Sequence, residues 1–169
     1  MLFPESSNMT LDIITSEKDE KEFSEFLHSK IIEFNNLKSS YHRNGRLPNS
    51  VKPLNLILKN DDGEIIGGLS GSTYWDWLEI DDFFIPDELR GKGIGTSLLQ
   101  KAETIAMERG AKRCFLSTFD FQARTFYEKH GYFVVGKLEG YPPNSAYFWM
   151  RKDFLQSQIK EGSSAPTAT

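Results

Sequence analysis

The stretch DELRGKGIGTSLLQKAE, residues 87–103, decides how this chain reads. Gly91, Gly93 and Gly95 alternate with Lys92 and Ile94, and a helical pattern follows at once. Glycine in front of a helix is destabilising unless the backbone takes a special conformation or something approaches it closely. The first amides of a helix lack internal partners, and the helix dipole adds partial positive charge there. With Arg90 and Lys92 supplying full charges, the stretch describes an anion site, and a phosphate suits it.

Outward from the loop, WLEIDDFFI (77–85) reads as a strand of mixed polarity, and a helix runs from about Thr96 to Arg109. Its apolar face is Leu98, Leu99, Ala102, Ile105 and Ala106, and Gly110 is its stop. Upstream, Asp62-Gly63 joins LNLIL to EIIGGLSG as a hairpin, with Gly67, Gly68 and Gly71 predicting a bulge or close backbone packing. Phe23, Phe26, Leu27, Ile31 and Phe34 recur at helical spacing after Ser16, which suits an N-cap, and LDIIT (11–15) suits a first strand. Residues 38–50 form a polar connection. Downstream, RCFLSTF is a strand and DFQARTFYEKHG a short helix capped by Asp120. YFVVGKL and AYFWMRKD are the last strands. The order is β-α-loop-β-β-β-α-β-α-β-β, an α/β chain with a mixed sheet. Residues 1–155 read as a single domain and 156–169 as a polar tail without fixed structure.

Composition narrows the classes. The 169 residues are 38% hydrophobic, enough for one packed core. A net charge of −4 argues against nucleic acid as the partner. The N-terminus lacks a basic segment followed by an apolar one, and no apolar run approaches a membrane span, so a cytoplasmic protein without a membrane partner is expected. The single cysteine, Cys114, sits in an apolar strand and reads as a core residue. His28, His42 and His130 show no metal spacing, so no metal is expected. His130, at a helix end, is placed to interact with the last carbonyls.

Three phosphate loops compete for residues 90–96. A P-loop needs Ser or Thr after Gly-Lys, and Lys92 is followed by Gly93. A dinucleotide fingerprint needs a third glycine where Leu98 stands, and a parallel unit where hairpins precede. The third, R-x-x-G-x-G, is met by Arg90 to Gly95. Together with FDFQARTFYEKHGY, it resembles the GNAT superfamily of acyl-CoA-dependent N-acetyltransferases. The resemblance runs from about Asn55 to Asp153, and FQARTFYEKHGY with GYPPNSAYFWMRK looks like one large bacterial branch.

The resemblance implies a mostly antiparallel central sheet flanked by helices, with a splayed central strand pair. It implies an acetyl group moved from acetyl-CoA to a primary amine of a small molecule, by direct attack in a ternary complex. The loop (Arg90, Gly91, Lys92, Gly93, Ile94, Gly95, Thr96) would wrap the pyrophosphate. Phe83, Phe84 and Ile85, facing Ser117 and Thr118 across the splay, would hold the pantetheine arm, with a backbone amide near Phe84 and Ile85 polarising the carbonyl. Asp120, Ala123, Phe126 and Tyr127 complete the cofactor set. Tyr127 is the candidate acid for the leaving thiolate, a phenol and a thiol being of comparable acidity. Glu79 is the candidate base and Asp81 its runner-up. Strand alternation places Glu79, Asp81, Phe83 and Ile85 on one face and turns Asp82 away unless a bulge shifts the phase. Carboxylates and aromatics near this strand suggest a cationic acceptor. A non-catalytic acyl-CoA-binding sensor or interaction module is the alternative, and the family occurs as monomer or homodimer.

Overall fold

The computed structural model describes residues 11–154; the tail expected at 156–169 lies outside them. The chain divides after Arg43 into two units, each described by itself. In the first, α1 (Lys21–Lys38) is an 18-residue helix. Lys30 pairs with Glu33 one turn on at 2.9 Å. Ser16 is not its N-cap: Glu20 is, and the Ser16 hydroxyl donates to the Glu20 carboxylate at 2.7 Å. Residues 11–15 are not a strand either. A short run of this kind becomes one only where a backbone ladder receives it, and among the described residues no strand pairs with it. A short helix, α2 (Ser40–Asn44), leads into the second unit.

That unit holds β1 (Lys52–Lys59), β2 (Ile65–Tyr74), β3 (Trp77–Phe84), α3 (Ile94–Glu108), β4 (Arg113–Phe119), α4 (Arg124–Lys129), β5 (Phe133–Glu139) and β6 (Ala146–Asp153). The β1–β2 turn closes on Asn60, whose side-chain oxygen accepts the Glu64 N–H at 2.8 Å, while Gly63 takes φ 82°. The six strands form one sheet in the order β1-β2-β3-β4-β6-β5. Among the described strands, β3 and β4 are the one neighbouring pair that is parallel, joined through α3, as a strand-helix-strand crossover requires. Leu99, Ala102 and Ala106 of α3 are buried with Leu78 and Ile80 of β3, Leu116 of β4 and Met150 of β6.

Two irregularities position the site. In the β2–β3 ladder Ser70 pairs with Asp82 and Gly71 with Ile80, so Asp81 is an extra residue. This bulge shifts the side-chain phase. Leu78 and Ile80 face the core before it, and Phe83 packs against the core after it. Glu79 therefore does not share a face with Phe83 and Ile85. It shares one with Asp82, opposite α3 and α4. At Gly71 a Cβ would come within 2.2 Å of the Glu79 carbonyl oxygen, so only glycine fits there. The second irregularity is a split. The parallel β3–β4 register runs from Trp77–Arg113 to Ile80–Leu116 and stops, although both strands continue.

A buried polar cluster closes the far side of the core. Glu103, on the inner face of α3, accepts the Tyr132 hydroxyl at 2.9 Å and the Lys152 ammonium at 2.6 Å. Burial, then the Cys114 and Glu103 charges, push the Tyr132 phenol far up. Cys114 beside it is fully buried, and burial raises its thiol to about 12. A thiol reagent at pH 8 should therefore leave the native protein unmodified and label Cys114 only after urea unfolding. Rapid labelling of the folded chain would contradict this packing.

Candidate active site

Where β3 and β4 part, a cleft of about 890 Å³ opens. One wall is the end of β3, with Asp81, Asp82, Phe83, Phe84 and Ile85. The other is the end of β4 and the start of α4, with Ser117, Thr118, Ala123, Phe126 and Tyr127. Its third side is the glycine loop with the first turn of α3, through Arg90, Gly91, Gly93, Gly95 and Thr96.

The loop carries out what its glycines predict. Gly91 and Gly93 hold φ of 73° and 80°, the left-handed region that side chains disfavour. Gly93 is the N-cap of α3, and helix begins at Ile94, two residues before the sequence suggests. The first helical hydrogen bond is donated by Ser97 to the Gly93 carbonyl at 3.0 Å. The amides of Ile94, Gly95 and Thr96 precede it and have no place in the helical ladder. A Cβ at Gly93 would meet nothing within 4 Å, so this surface is open to a ligand. The donor set is backbone N–H and cation, which suits a pyrophosphate. Arg90 also braces the loop. Its Nε donates to the Ile85 carbonyl at 2.9 Å and its guanidinium pairs with Asp87 at 2.6 Å.

Tyr127 is 6% exposed at the inner end of the cleft, edge-on to Phe126 at 5.3 Å and to Tyr132 at 5.6 Å between ring centroids. Burial, with the Cys114 charge second, pushes its phenol up to about 12. Phe83 and Phe126 meet edge-to-face at 5.9 Å. Thr118 is buried, and its hydroxyl accepts the Ala123 N–H at 3.4 Å. The Ser117 hydroxyl accepts that of Tyr147.

Glu79, Lys92, Ile94 and Asp120 do not line the cleft. Glu79 lies one residue before the split, where β3 is still paired with Phe115. Lys92 points to solvent. Asp120 neither caps α4, whose N-cap is Ala123, nor reaches the cleft. Its carboxylate accepts the Ser145 hydroxyl and the amides of Phe121 at 2.9 Å and Ala146 at 3.1 Å. The Ser145 hydroxyl foremost, then these backbone amides, hold its pKa below the usual carboxylate value. Asp120 thus clamps the end of β4 to the start of β6.

Sequence reasoning missed Gln122 and Phe121, both in the cleft lining. The Gln122 side-chain oxygen accepts the Phe119 amide at 2.8 Å and the Thr118 hydroxyl at 3.3 Å, which fixes the turn into α4. The signal was a polar residue three positions after a strand end, the spacing of a side chain that folds back on its own backbone.

The model of the Acetyltransferase (GNAT) family matches residues 14–132. The chain belongs to this family. It is 34% identical over 103 residues to an acetyltransferase of Agrobacterium fabrum, covering 61% of this chain and 75% of that one. It is 39% identical over 82 residues to the blasticidin-S acetyltransferase of Streptomyces morookaense, covering 48% of this chain and 60% of that one. Among solved structures, an acetyltransferase from Bacillus cereus superposes with a TM-score of 0.72 at 30% identity, over 83% of this chain and 98% of its own. The GNAT protein is thus an acetyltransferase with acetyl-CoA as donor, on the mixed, split sheet expected for it. None of its helices, among the described residues, is long and apolar enough to cross a membrane.

Proposed function

We propose that this acetyltransferase acts on a primary amine of a small cationic molecule by direct attack in a ternary complex. The observation that carries the reading is the split between β3 and β4, which brings the two faces of the sheet together. Tyr127 lies on the helix side. Asp82 and Glu79 lie on the opposite side, with Asp81 at the bulge between. A thioester held in the split would have a proton donor behind it and carboxylates in front.

Each residue then has a part in the transfer. The loop from Arg90 to Thr96 and the start of α3 hold the pyrophosphate, and the ends of β3 and β4 hold the pantetheine arm. A β3 amide near Phe84 and Ile85 polarises the carbonyl. Asp81 and Asp82 draw the ammonium of the acceptor, and one of these carboxylates or Glu79 takes its proton, directly or through water. The neutral amine bonds to the carbonyl carbon, the carbon–sulfur bond breaks, Tyr127 gives its proton to the departing sulfur, and the proton shed by the new amide nitrogen returns to the phenolate through water. Cys114 is buried outside the cleft, so a cysteine-bound acyl intermediate has no nucleophile to form on, which favours direct attack. The blasticidin-S relative favours a small-molecule acceptor. Residues 1–155 as one catalytic domain remain part of this proposal.

The test is coenzyme A release over a panel of polyamines, aminoglycosides, nucleoside antibiotics and amino acids, with products identified by mass. Intersecting initial-velocity lines with a cationic amine support the reading. Parallel lines, or turnover only with neutral or acidic acceptors, overturn it. A second variant tests the loop. The left-handed backbone at position 93 strains any side chain, Asp less than most, and the space around it is open, so Gly93→Asp should fold at some cost in stability while setting a carboxylate against the pyrophosphate. Its acetyl-CoA affinity should fall by about a hundredfold or more, against a few-fold for Gly93→Ala, both read by calorimetry.

A further inference from the structure

His130 ends α4, and its ring is fixed at both nitrogens. Nδ1 lies 2.7 Å from the Phe126 carbonyl oxygen and Nε2 lies 3.0 Å from the Thr96 hydroxyl. A carbonyl can only accept, so Nδ1 carries a proton in every charge state. The neutral ring then presents a lone pair at Nε2, and Thr96 must donate its proton to it. Thr96 stands in the first turn of α3 and lines the cleft. In that state its hydroxyl offers the cleft only lone pairs, which repel an anion. When His130 gains a proton, Nε2–H donates to the Thr96 oxygen instead. The Thr96 proton is then free to turn toward a phosphate oxygen.

We infer that His130 is a positioning residue which, by taking up a proton, turns the Thr96 hydroxyl from acceptor to donor and so couples protonation to binding of the cofactor's pyrophosphate. The inference rests on the reading that the pyrophosphate lies on the first turn of α3. Linkage fixes the sign: a ligand that prefers the protonated ring draws a proton onto it on binding, and its affinity falls as pH rises.

The surroundings leave the ring to this role. The Phe126 ring lies 4.4 Å from it, centroid to centroid. Lys129 and Glu128 share its helix, and Glu128 is engaged by Arg124 at 2.8 Å. Across Gly131, Lys152 of β6 is held by Glu103 of α3. The glycine loop that leads into Thr96 carries Lys92, which is exposed, and Arg90, which pairs with Asp87. Among the described residues, no charged side chain bonds to the ring.

The probe is dephospho-coenzyme A, which keeps the pyrophosphate and lacks the phosphomonoester that titrates near neutrality. Calorimetry from pH 6 to 8, in buffers of differing ionisation enthalpy, should show fractional proton uptake by the 169-residue chain. Affinity should weaken roughly fivefold across that range. His130→Gln and Thr96→Val should still bind, with a flat pH profile and no uptake, and Thr96→Ser should restore the slope. Wild-type binding that is flat in pH, or a slope that persists in His130→Gln, overturns the inference. Absence of binding by the wild type at every pH would instead sink the pyrophosphate reading beneath it. Should the variants not fold, the His130 ring is titrated by NMR in the wild type: a pKa higher in the complex supports the inference, and an unchanged one overturns it.

Discussion

Tyr127→Phe should lower kcat by about a hundredfold or more and leave the acetyl-CoA dissociation constant within about twofold. The substitution removes one oxygen and keeps the ring that packs against Phe126 and Tyr132. If that ring only filled space, kcat would barely move. The structure also revises the energetics. A phenol raised to about 12 is a weaker acid than the free thiol with which it was matched. With Tyr127 as the proposed acid, transfer stays close to even if the thiolate forms in the same cleft, where burial raises its proton affinity as well. The pH profile follows. In that proposed role the acid form is the active one, and it is lost only as pH rises through about 12. The wild-type rate should climb with pH as the acceptor amine becomes neutral, with no descending limb from Tyr127 below about pH 11. A fall in kcat centred near pH 9, absent from Tyr127→Phe, would show that the phenol is not held up by burial.

Glu103→Ala should remove about 3 kcal/mol of stability or more, read by urea unfolding. Glu103 is 6% exposed, so its loss leaves the Lys152 ammonium and the Tyr132 hydroxyl facing each other across a cavity. Removing one member of such a group is worse than removing all, because the survivors stay dehydrated. The double replacement Glu103→Leu with Lys152→Met should therefore lose less than the sum of the single changes. A Glu103→Ala variant within about 1 kcal/mol of wild type would mean that water reaches Lys152 freely.

Much of this was legible in the chain. The Asp62-Gly63 hairpin, the glycine loop with its helix and the short FYEK helix follow from local backbone chemistry, and local chemistry is what a sequence records. The bulge at Asp81 was legible only as a condition, because the register of β2 against β3 depends on which residues of two strands meet. Position 71 held the clue: close backbone packing there was expected, yet which residue opposite it becomes the extra one is not written in either strand alone. Residues 11–15 misled for a related reason, since an apolar run shows appetite for a sheet and not whether a strand receives it. Glu103 was readable and passed over. It falls four residues after Leu99 and three before Ala106, inside the apolar stripe, where a carboxylate needs a buried cation. Asp120 was assigned the wrong role because an acid before a helix looks like a cap, and its partners lie at the start of β6, 25 residues on at Ser145.

The split after Ile80 and Leu116 gives the sheet two inner margins besides the outer ones on β1 and β5. Exposed strand margins ordinarily invite other chains to join and aggregate. These two face each other and converge to a closed ladder at Ile80, so the gap tapers to nothing. A second sheet cannot enter a wedge of that form, whereas a single extended molecule can, using on either side the hydrogen-bonding groups each strand has left over. One geometry thus serves as a gatekeeper against self-association and as a receptor for a slender, peptide-like guest.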